Sequence, residues 1–174
     1  MALTILCAAR GEGKTTFLQQ QVEALASCGR SIGGIAAPAV FGADERLGYD
    51  LVDLRNGQRR PLARRVVAPD ARPTVGGYAF DAQAINEGQA AIMAAIRQHT
   101  QVIAIDEIGP LEFDGEGWAP ALEAALHECT PAQTLIITVR PTLVDKLPIR
   151  FPAPLWAQAQ RFSPPWPTVL ETVS

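Results

Sequence analysis

Nine residues near the start of the chain, Ala8-Ala9-Arg10-Gly11-Glu12-Gly13-Lys14-Thr15-Thr16, have the types and spacing of a phosphate cradle. They follow the apolar run Leu3 to Cys7 and lead into a segment of helical periodicity, which gives strand, Gly-rich loop and helix start in that order. Backbone N–H groups in such a loop converge on one point, and the helix dipole adds partial positive charge there. Gly11 and Gly13 permit backbone angles and a closeness to phosphate that a Cβ would obstruct. Lys14 supplies a compact, mobile charge for the β- and γ-phosphates, and the Thr15 hydroxyl is small enough to ligate Mg²⁺. Ala9, Arg10, Glu12 and Thr16 complete the phosphate-binding stretch. Lys14 is also one of two lysines in a chain with thirteen arginines, an asymmetry that suggests a chemical requirement at this position.

A second stretch, Val102-Ile103-Ala104-Ile105-Asp106-Glu107, reads as a buried strand ending in two carboxylates. Asp106 brings an oxygen to the sheet edge, where a Mg²⁺ that keeps most of its waters needs one or two protein ligands. Glu107 either orients a water or caps the following Gly109-Pro110 turn. Arg140 follows the last apolar strand, where its fork either reaches the γ-phosphate or forms a surface ion pair. The predicted catalytic residues are therefore Lys14, Glu107 and Arg140, and the predicted metal contacts are Thr15 and Asp106. Arg46 and Tyr78 either line the nucleotide pocket or serve as a hairpin salt bridge and an aromatic lid. Trp156 and Trp166 lie among prolines and either stack a base or, as is usual for Pro-flanked tryptophans, close a core edge.

The elements that must position these groups follow from periodicity. Leu18, Val22 and Leu25 form one stripe of a helix that Gly29 ends. Ser31 to Pro38 is a strand candidate. Tyr49 to Leu54 and Arg64 to Ala68 read as a hairpin, with Asn56-Gly57 expected to supply two positive-φ residues at its turn. Pro73 to Phe80 reads as a loop, and Asp81 as the cap of a helix with Ile85, Ile92 and Ile96 facing inward. A strand over 101–106, the Gly109-Pro110 turn, a helix with Trp118, Leu122, Ala125 and Leu126 on one face, and the apolar run Leu135 to Val139 complete the pattern. Strands alternating with helices imply an α/β fold: a doubly wound, mostly parallel sheet flanked by helices, with an inserted antiparallel β-hairpin. Seven of the fourteen prolines fall between Pro141 and Pro167, so residues 141–174 are expected to wrap the surface, with a short edge strand near Trp156 to Phe162.

With 174 residues and 48% hydrophobic composition, the chain can bury a substantial core, and one domain over 1–174 is expected. A net charge of −3 and a pI near 5.4 argue against charge-driven nucleic-acid binding. One local exception is the six arginines at 55, 59, 60, 64, 65 and 72. They form either a patch for phosphates or an acidic protein partner, or a solvated hairpin surface paired with nearby carboxylates. Cys7, Cys28 and Cys129 have no metal or disulfide spacing and read as free thiols in a reducing cytoplasm. The N-terminal apolar stretch is too short, and lacks the basic leader, for a secretory signal. No run approaches the ~20 apolar residues of a membrane span.

Several blocks resemble a known family, the thermophile-type nucleoside-triphosphatases, which include the animal cancer-related nucleoside-triphosphatase. Ile105-Asp106-Glu107-Ile108-Gly109-Pro110-Leu111-Glu112 is close to that family's Asp-Glu-Ile-Gly-Pro-Met-Glu signature. Arg46-Leu47-Gly48-Tyr49, with Asp53 to Gly57 and Leu62-Ala63-Arg64, is similar to its Arg-x-Gly-Phe hairpin. Val75-Gly76-Gly77-Tyr78 resembles its Val-Gly-x-Tyr element. The likeness covers residues 3 to 140. It implies a P-loop fold of the subgroup in which a Glu follows the metal-associated Asp, and a slow, Mg²⁺-dependent hydrolase of ATP and GTP with weak base preference. Carried over by position, it makes Lys14 and Thr15 the phosphate and metal contacts, Asp106 a metal contact and Glu107 the water-orienting base. Ala8 departs from the first loop Gly, Arg10 replaces a small residue or Pro, and the C-terminal Asn-Arg element of relatives is not evident. Two other classes share this cradle: a nucleotide or small-molecule kinase, and a regulatory nucleotide-binding module whose protein partner reads the Arg-rich hairpin.

Overall fold

The computed structural model describes residues 1–43, 45–66 and 75–170. Among these residues nine strands form one mixed sheet: β1 (Ala2–Cys7), β2 (Ile32–Ala36), β3 (Ala39–Phe41), β4 (Arg46–Asp53), β5 (Arg59–Arg65), β6 (Tyr78–Phe80), β7 (Val102–Ile108), β8 (Thr134–Val139) and β9 (Gln160–Phe162). The order is β6-β5-β4-β2-β7-β8-β1-β9, with β3 pairing β4. The run β2-β7-β8-β1-β9 is parallel, and β2 through β6 pair antiparallel. Among the described residues six α-helices accompany it: α1 (Lys14–Ser27), α2 (Ala82–Arg97), α3 (Pro110–Phe113), α4 (Ala119–Glu128), α5 (Pro141–Val144) and α6 (Leu147–Arg150). This is the predicted parallel core flanked by helices, with an antiparallel ribbon attached through β4.

Strand alternation decides which helix each side chain meets. Leu6, Val102, Ala104 and Ile136 cluster with Phe17, Leu18 and Val22 of α1. Their neighbours Ile5, Ile103, Ile105 and Ile137 point the other way, into the core shared with Ile92 and Ile96 of α2 and Leu122 of α4. Each fully buried residue of this kind is worth about 1.5–3 kcal/mol, so a one-residue slip of any central strand would be prohibitive. The same period of two puts Asp106 and Thr138 on the α1 side. Two glycines make the layers fit. At Gly34, with φ of +92°, a Cβ would stand 2.0 Å from the Ala104 carbonyl oxygen; at Gly88 it would meet the Trp118 ring at 2.5 Å, so α2 can approach the start of α4.

Several expectations change in the three-dimensional chain. The hairpin turn has a positive φ at Gly57 alone. Asn56 keeps an ordinary φ because its side chain is used locally, accepting from the Gln58 N–H at 2.8 Å and donating to Asp53 at 2.9 Å. The returning strand begins earlier, at Arg59, and the expected end near Ala68 lies outside the described residues. Tyr78–Phe80, expected in a loop, is a strand because its backbone completes the β5 edge. The helix expected after Gly109-Pro110 is broken into α3 and α4, with Gly115 and Gly117 in left-handed conformations between them. The Pro-rich segment does more than wrap the surface: Leu147 and Phe151 are buried in the main core. The predicted edge strand is β9, three residues along β1. Asp81 caps α2 as expected, accepting from the Ala84 N–H at 2.7 Å.

The arginine-rich ribbon is largely neutralised within the chain. Arg59 and Arg64 meet the two oxygens of Asp50 at 2.7 and 2.6 Å, Arg60 pairs with Glu87, and Arg65 pairs with Glu45. Arg72 lies outside the described residues. Cys7, Cys28 and Cys129 are free thiols, and among the described residues no helix is long and apolar enough to cross a membrane.

Candidate functional site

The loop between β1 and α1 takes its left-handed turns at Gly11 (φ +87°) and Gly13 (φ +80°). Ala8 is not among the positive-φ residues, so a side chain at the first loop position costs no strain. Gly13 caps α1 without a side-chain hydrogen bond, which leaves the first-turn N–H groups available to an anion. Lys14, 4% exposed, folds back so that Nζ donates to the Ala8 and Ala9 carbonyls at 2.9 and 3.0 Å. Glu12 accepts from the Ala9 N–H at 2.6 Å. Gly11, Gly13, Lys14, Thr15, Thr16, Arg46 and Glu107 border a cleft of about 210 Å³.

Asp106 is fully buried. Its Oδ2 accepts from the Ala37 N–H at 2.9 Å, and its Oδ1 from Thr138 Oγ1 at 2.6 Å and the Glu107 N–H at 3.0 Å. The Thr138 hydroxyl in turn accepts from the Glu107 N–H at 2.8 Å. A carboxylate has about four acceptor positions, so three are used and one is left. Directly after Asp106 the β7–β8 register shifts, between Ile105 and Ile108, and Glu107 adopts φ of +60°. That conformation costs a non-glycine residue on the order of 1–3 kcal/mol and persists only where the surroundings enforce it. Here the bulge turns Glu107 out of the strand and aims its carboxylate into the cleft.

Burial pulls the Lys14 ammonium below its usual value, while the Glu107 and Asp106 charges pull it back up. Burial and then the Asp106 charge push the Glu107 carboxyl up, with Lys14 and Arg140 opposing. Lys14, Asp106 and Glu107 thus lie within each other's electrostatic reach. Arg140 stands 3.8 Å from Glu107, so its ion pair is made with the site carboxylate. Arg46 donates to Tyr49 Oη at 2.9 Å and covers the Tyr49 and Phe41 rings. Arg10 donates to Tyr78 Oη at 2.5 Å and covers that ring, and Tyr78 meets Tyr49 edge to face at 5.4 Å. An arc from Arg10 through both tyrosines to Arg46 therefore ties the ribbon to the phosphate loop.

Glu112 ends the Asp-Glu-Ile-Gly-Pro stretch and fixes its shape. Its Oε2 accepts from the Gly109 N–H and its Oε1 from the Trp118 N–H, both at 2.8 Å. Capping the Gly109-Pro110 turn therefore belongs to Glu112, which leaves Glu107 for the cleft. Burial pushes the Glu112 carboxyl up to about 7, against those two N–H donors. The folded state then holds this proton more tightly than the unfolded chain, whose carboxyl titrates near 4.5. Stability is expected to fall as pH rises between about 4.5 and 7, by up to roughly 3 kcal/mol. Urea midpoints measured across that range for wild type and Glu112→Gln check this: the fall should be steeper in the first than in the second, where the Glu112 share is gone.

Thr138 was not picked out from the sequence, and Trp166 takes on a contact with the loop besides the core edge expected of it. Thr138 holds Asp106 and Glu107 in register; a hydroxyl within the buried run Leu135 to Val139 was the signal. Thr138→Val keeps the volume but removes both hydrogen bonds, and is expected to destabilise by about 1–3 kcal/mol in urea unfolding. Trp166 stacks on Phe17 at 4.8 Å and donates from Nε1 to the Glu12 carbonyl at 3.0 Å, so it buttresses the loop from the far end of the chain. Trp156, which donates to the Phe151 carbonyl at 2.6 Å, closes the core edge as expected.

Comparison with known proteins identifies the family. Residues 4–150 match the NTPase family. The chain is 35% identical over 127 residues to nucleoside-triphosphatase THEP1 of Thermofilum pendens, covering 72% of this chain and 68% of that protein. It is 34% identical over 135 residues to the protein of that name from Pyrobaculum aerophilum, covering 78% and 72%. The solution structure of a human cancer-related nucleoside triphosphatase superposes with a TM-score of 0.70 at 25% identity, over 94% of this chain and 88% of that one. The parallel core flanked by helices, with the Gly-rich loop between β1 and α1, is that of a P-loop fold, and the chain belongs to the NTPase family.

Proposed function

We propose that this phosphohydrolase cleaves nucleoside triphosphates, ATP and GTP among them, to diphosphate and phosphate, slowly, with Mg²⁺ and with little preference for the base. The observation that carries this reading is that Lys14, Thr15 and Glu107 border one cleft at the start of α1, with the Asp106 charge acting on both Lys14 and Glu107. The donor set suits magnesium: a threonine hydroxyl, carboxylates and one remaining acceptor position on Asp106 are all hard oxygens. Among the described residues no group of three or more acidic, histidine or cysteine side chains gathers, which fits a cation that takes most of its ligands from water and phosphate. Thr15 and Asp106 would hold it, and when bound it would neutralise charge on the β- and γ-phosphates.

The chain's own groups account for the rest. Loop and first-turn N–H groups bind the phosphates. Lys14 leaves the Ala8 and Ala9 carbonyls for the phosphate oxygens, where it stabilises the charge developing during transfer. Glu107 accepts a hydrogen bond from water and directs it in line at the γ-phosphorus. Arg140 holds Glu107 and offers its fork to the departing phosphate. Steady-state phosphate release with ATP, GTP, CTP and UTP, with and without magnesium, tests the reading. Release with all four that requires the metal is expected; no release from any of them in magnesium would refute it.

A further inference from the structure

Glu107 borders two hollows. One is the 210 Å³ cleft against the phosphate loop. The other, of about 130 Å³, adjoins it, with Ala37, Tyr49 and Glu107 lining both. Its body is apolar, formed by Leu62, Tyr78, Phe80, Ile85, Leu111 and Trp118. Its charged lining is Arg10, Glu107, Glu112 and Arg140; Arg140 pairs loosely with the Glu107 carboxylate, and its Nε has no hydrogen-bond partner among the described residues. Hydrolysis requires only room for a water, whose share of liquid volume is about 30 Å³, whereas a cavity of about 150 Å³ lined by Leu, Ile and Phe accepts benzene. A space of this size, lined by rings and by a candidate base, is built for an organic body.

We propose that this second hollow is the site of a phosphoryl acceptor, an alcohol carried on a single apolar ring, so that the chain also acts as a small-molecule kinase. The proposal rests on the triphosphate site described above. In the step, the alcohol oxygen takes the place of water at Glu107 and attacks the γ-phosphorus. A new O–P bond forms, the bond from phosphorus to the β,γ-bridging oxygen breaks, and its electron pair stays on the diphosphate. The hydroxyl proton passes to the Glu107 carboxylate. The products are a phosphate monoester and a nucleoside diphosphate, with no oxidant or other co-reactant. The hydrophobic wall excludes water when the ring is seated, which favours transfer over hydrolysis.

The experiment uses the full chain with ATP, magnesium and benzyl alcohol as the probe, with products resolved by ³¹P NMR. Benzyl phosphate should form at a rate that saturates with benzyl alcohol, while free phosphate falls correspondingly. Ile85→Phe, which adds bulk at a half-buried lining residue of the hollow, should lower benzyl phosphate by roughly tenfold or more, the usual scale for closing a small apolar subsite, and leave basal phosphate release unchanged. Leu111→Phe gives the same test if the first variant fails to fold. Diphosphate and free phosphate at an unaltered rate, with no ester up to the solubility limit of the alcohol, would overturn the acceptor site and leave the hydrolase reading standing. Ester formation undiminished in both filled variants would also overturn it. No cleavage of ATP under any condition would instead remove the underlying triphosphate site.

Discussion

Glu107→Gln is expected to bind nucleoside triphosphate as wild type does and to turn it over about 10²- to 10⁴-fold more slowly, the usual worth of a positioned acid or base. Gln keeps the length and the neutral half of the hydrogen-bonding capacity, so the bulge after Asp106, fixed by the Glu107 backbone N–H, should survive. The carboxylate must be ionised to accept a proton, and burial together with Asp106 raises its titration above the ordinary carboxylate range. In wild type the rate should therefore fall as pH drops through that raised value, and this acid limb should vanish in the Gln variant. Single-turnover kinetics separate binding from chemistry: wild-type turnover in Glu107→Gln would reject the assignment. Glu107→Gly offers a contrast, because relief of the left-handed backbone should make it at least as stable as wild type while it loses the base.

The second large effect is expected at Lys14. Lys14→Met preserves the buried stem and removes the charge, and should lower kcat/KM by on the order of 10²–10³, as when one preorganised donor to a transition state is lost. Its stability should move little, because the hydrogen bonds it loses to Ala8 and Ala9 are offset by relief of a desolvated ammonium. Glu107 also loses the first of the charges that hold its carboxyl down, so any residual activity should show an acid limb shifted to higher pH. Thermal unfolding alongside phosphate release checks both parts. A variant that is unfolded, or one as active as wild type, would contradict this account of Lys14.

How much of this was legible in the sequence depends on how local the cause is. The Gly-rich loop, the apolar strands and the Asp81 cap are set by residues within a few positions of each other, and they emerge where periodicity and turn chemistry place them. Asp106 could be assigned to a strand end, and its side of the sheet follows from alternation with Ala104 and Val102. The left-handed backbone of Glu107 could not be read, because it results from bonds that reach across to Thr138 on the neighbouring strand. Trp166 is the extreme case: its contact with Glu12 spans 154 positions, and nothing within either segment announces the other. Leu147 and Phe151 were hidden by the prolines around them, since proline density rules out long regular elements but does not keep short helices from burying apolar side chains.

The three residues of β9 lie along β1, the strand that leads into the phosphate loop. Without them β1 would be the outermost ribbon of the sheet, five of its six residues buried and its backbone bare, a template onto which another molecule could polymerise. The cover is brief and carries the charge of Arg161, both of which discourage such growth. The same short arm continues to the indole that buttresses Glu12. Solubility and turnover are therefore fastened by one clasp, and damage to it should cost the molecule both at once.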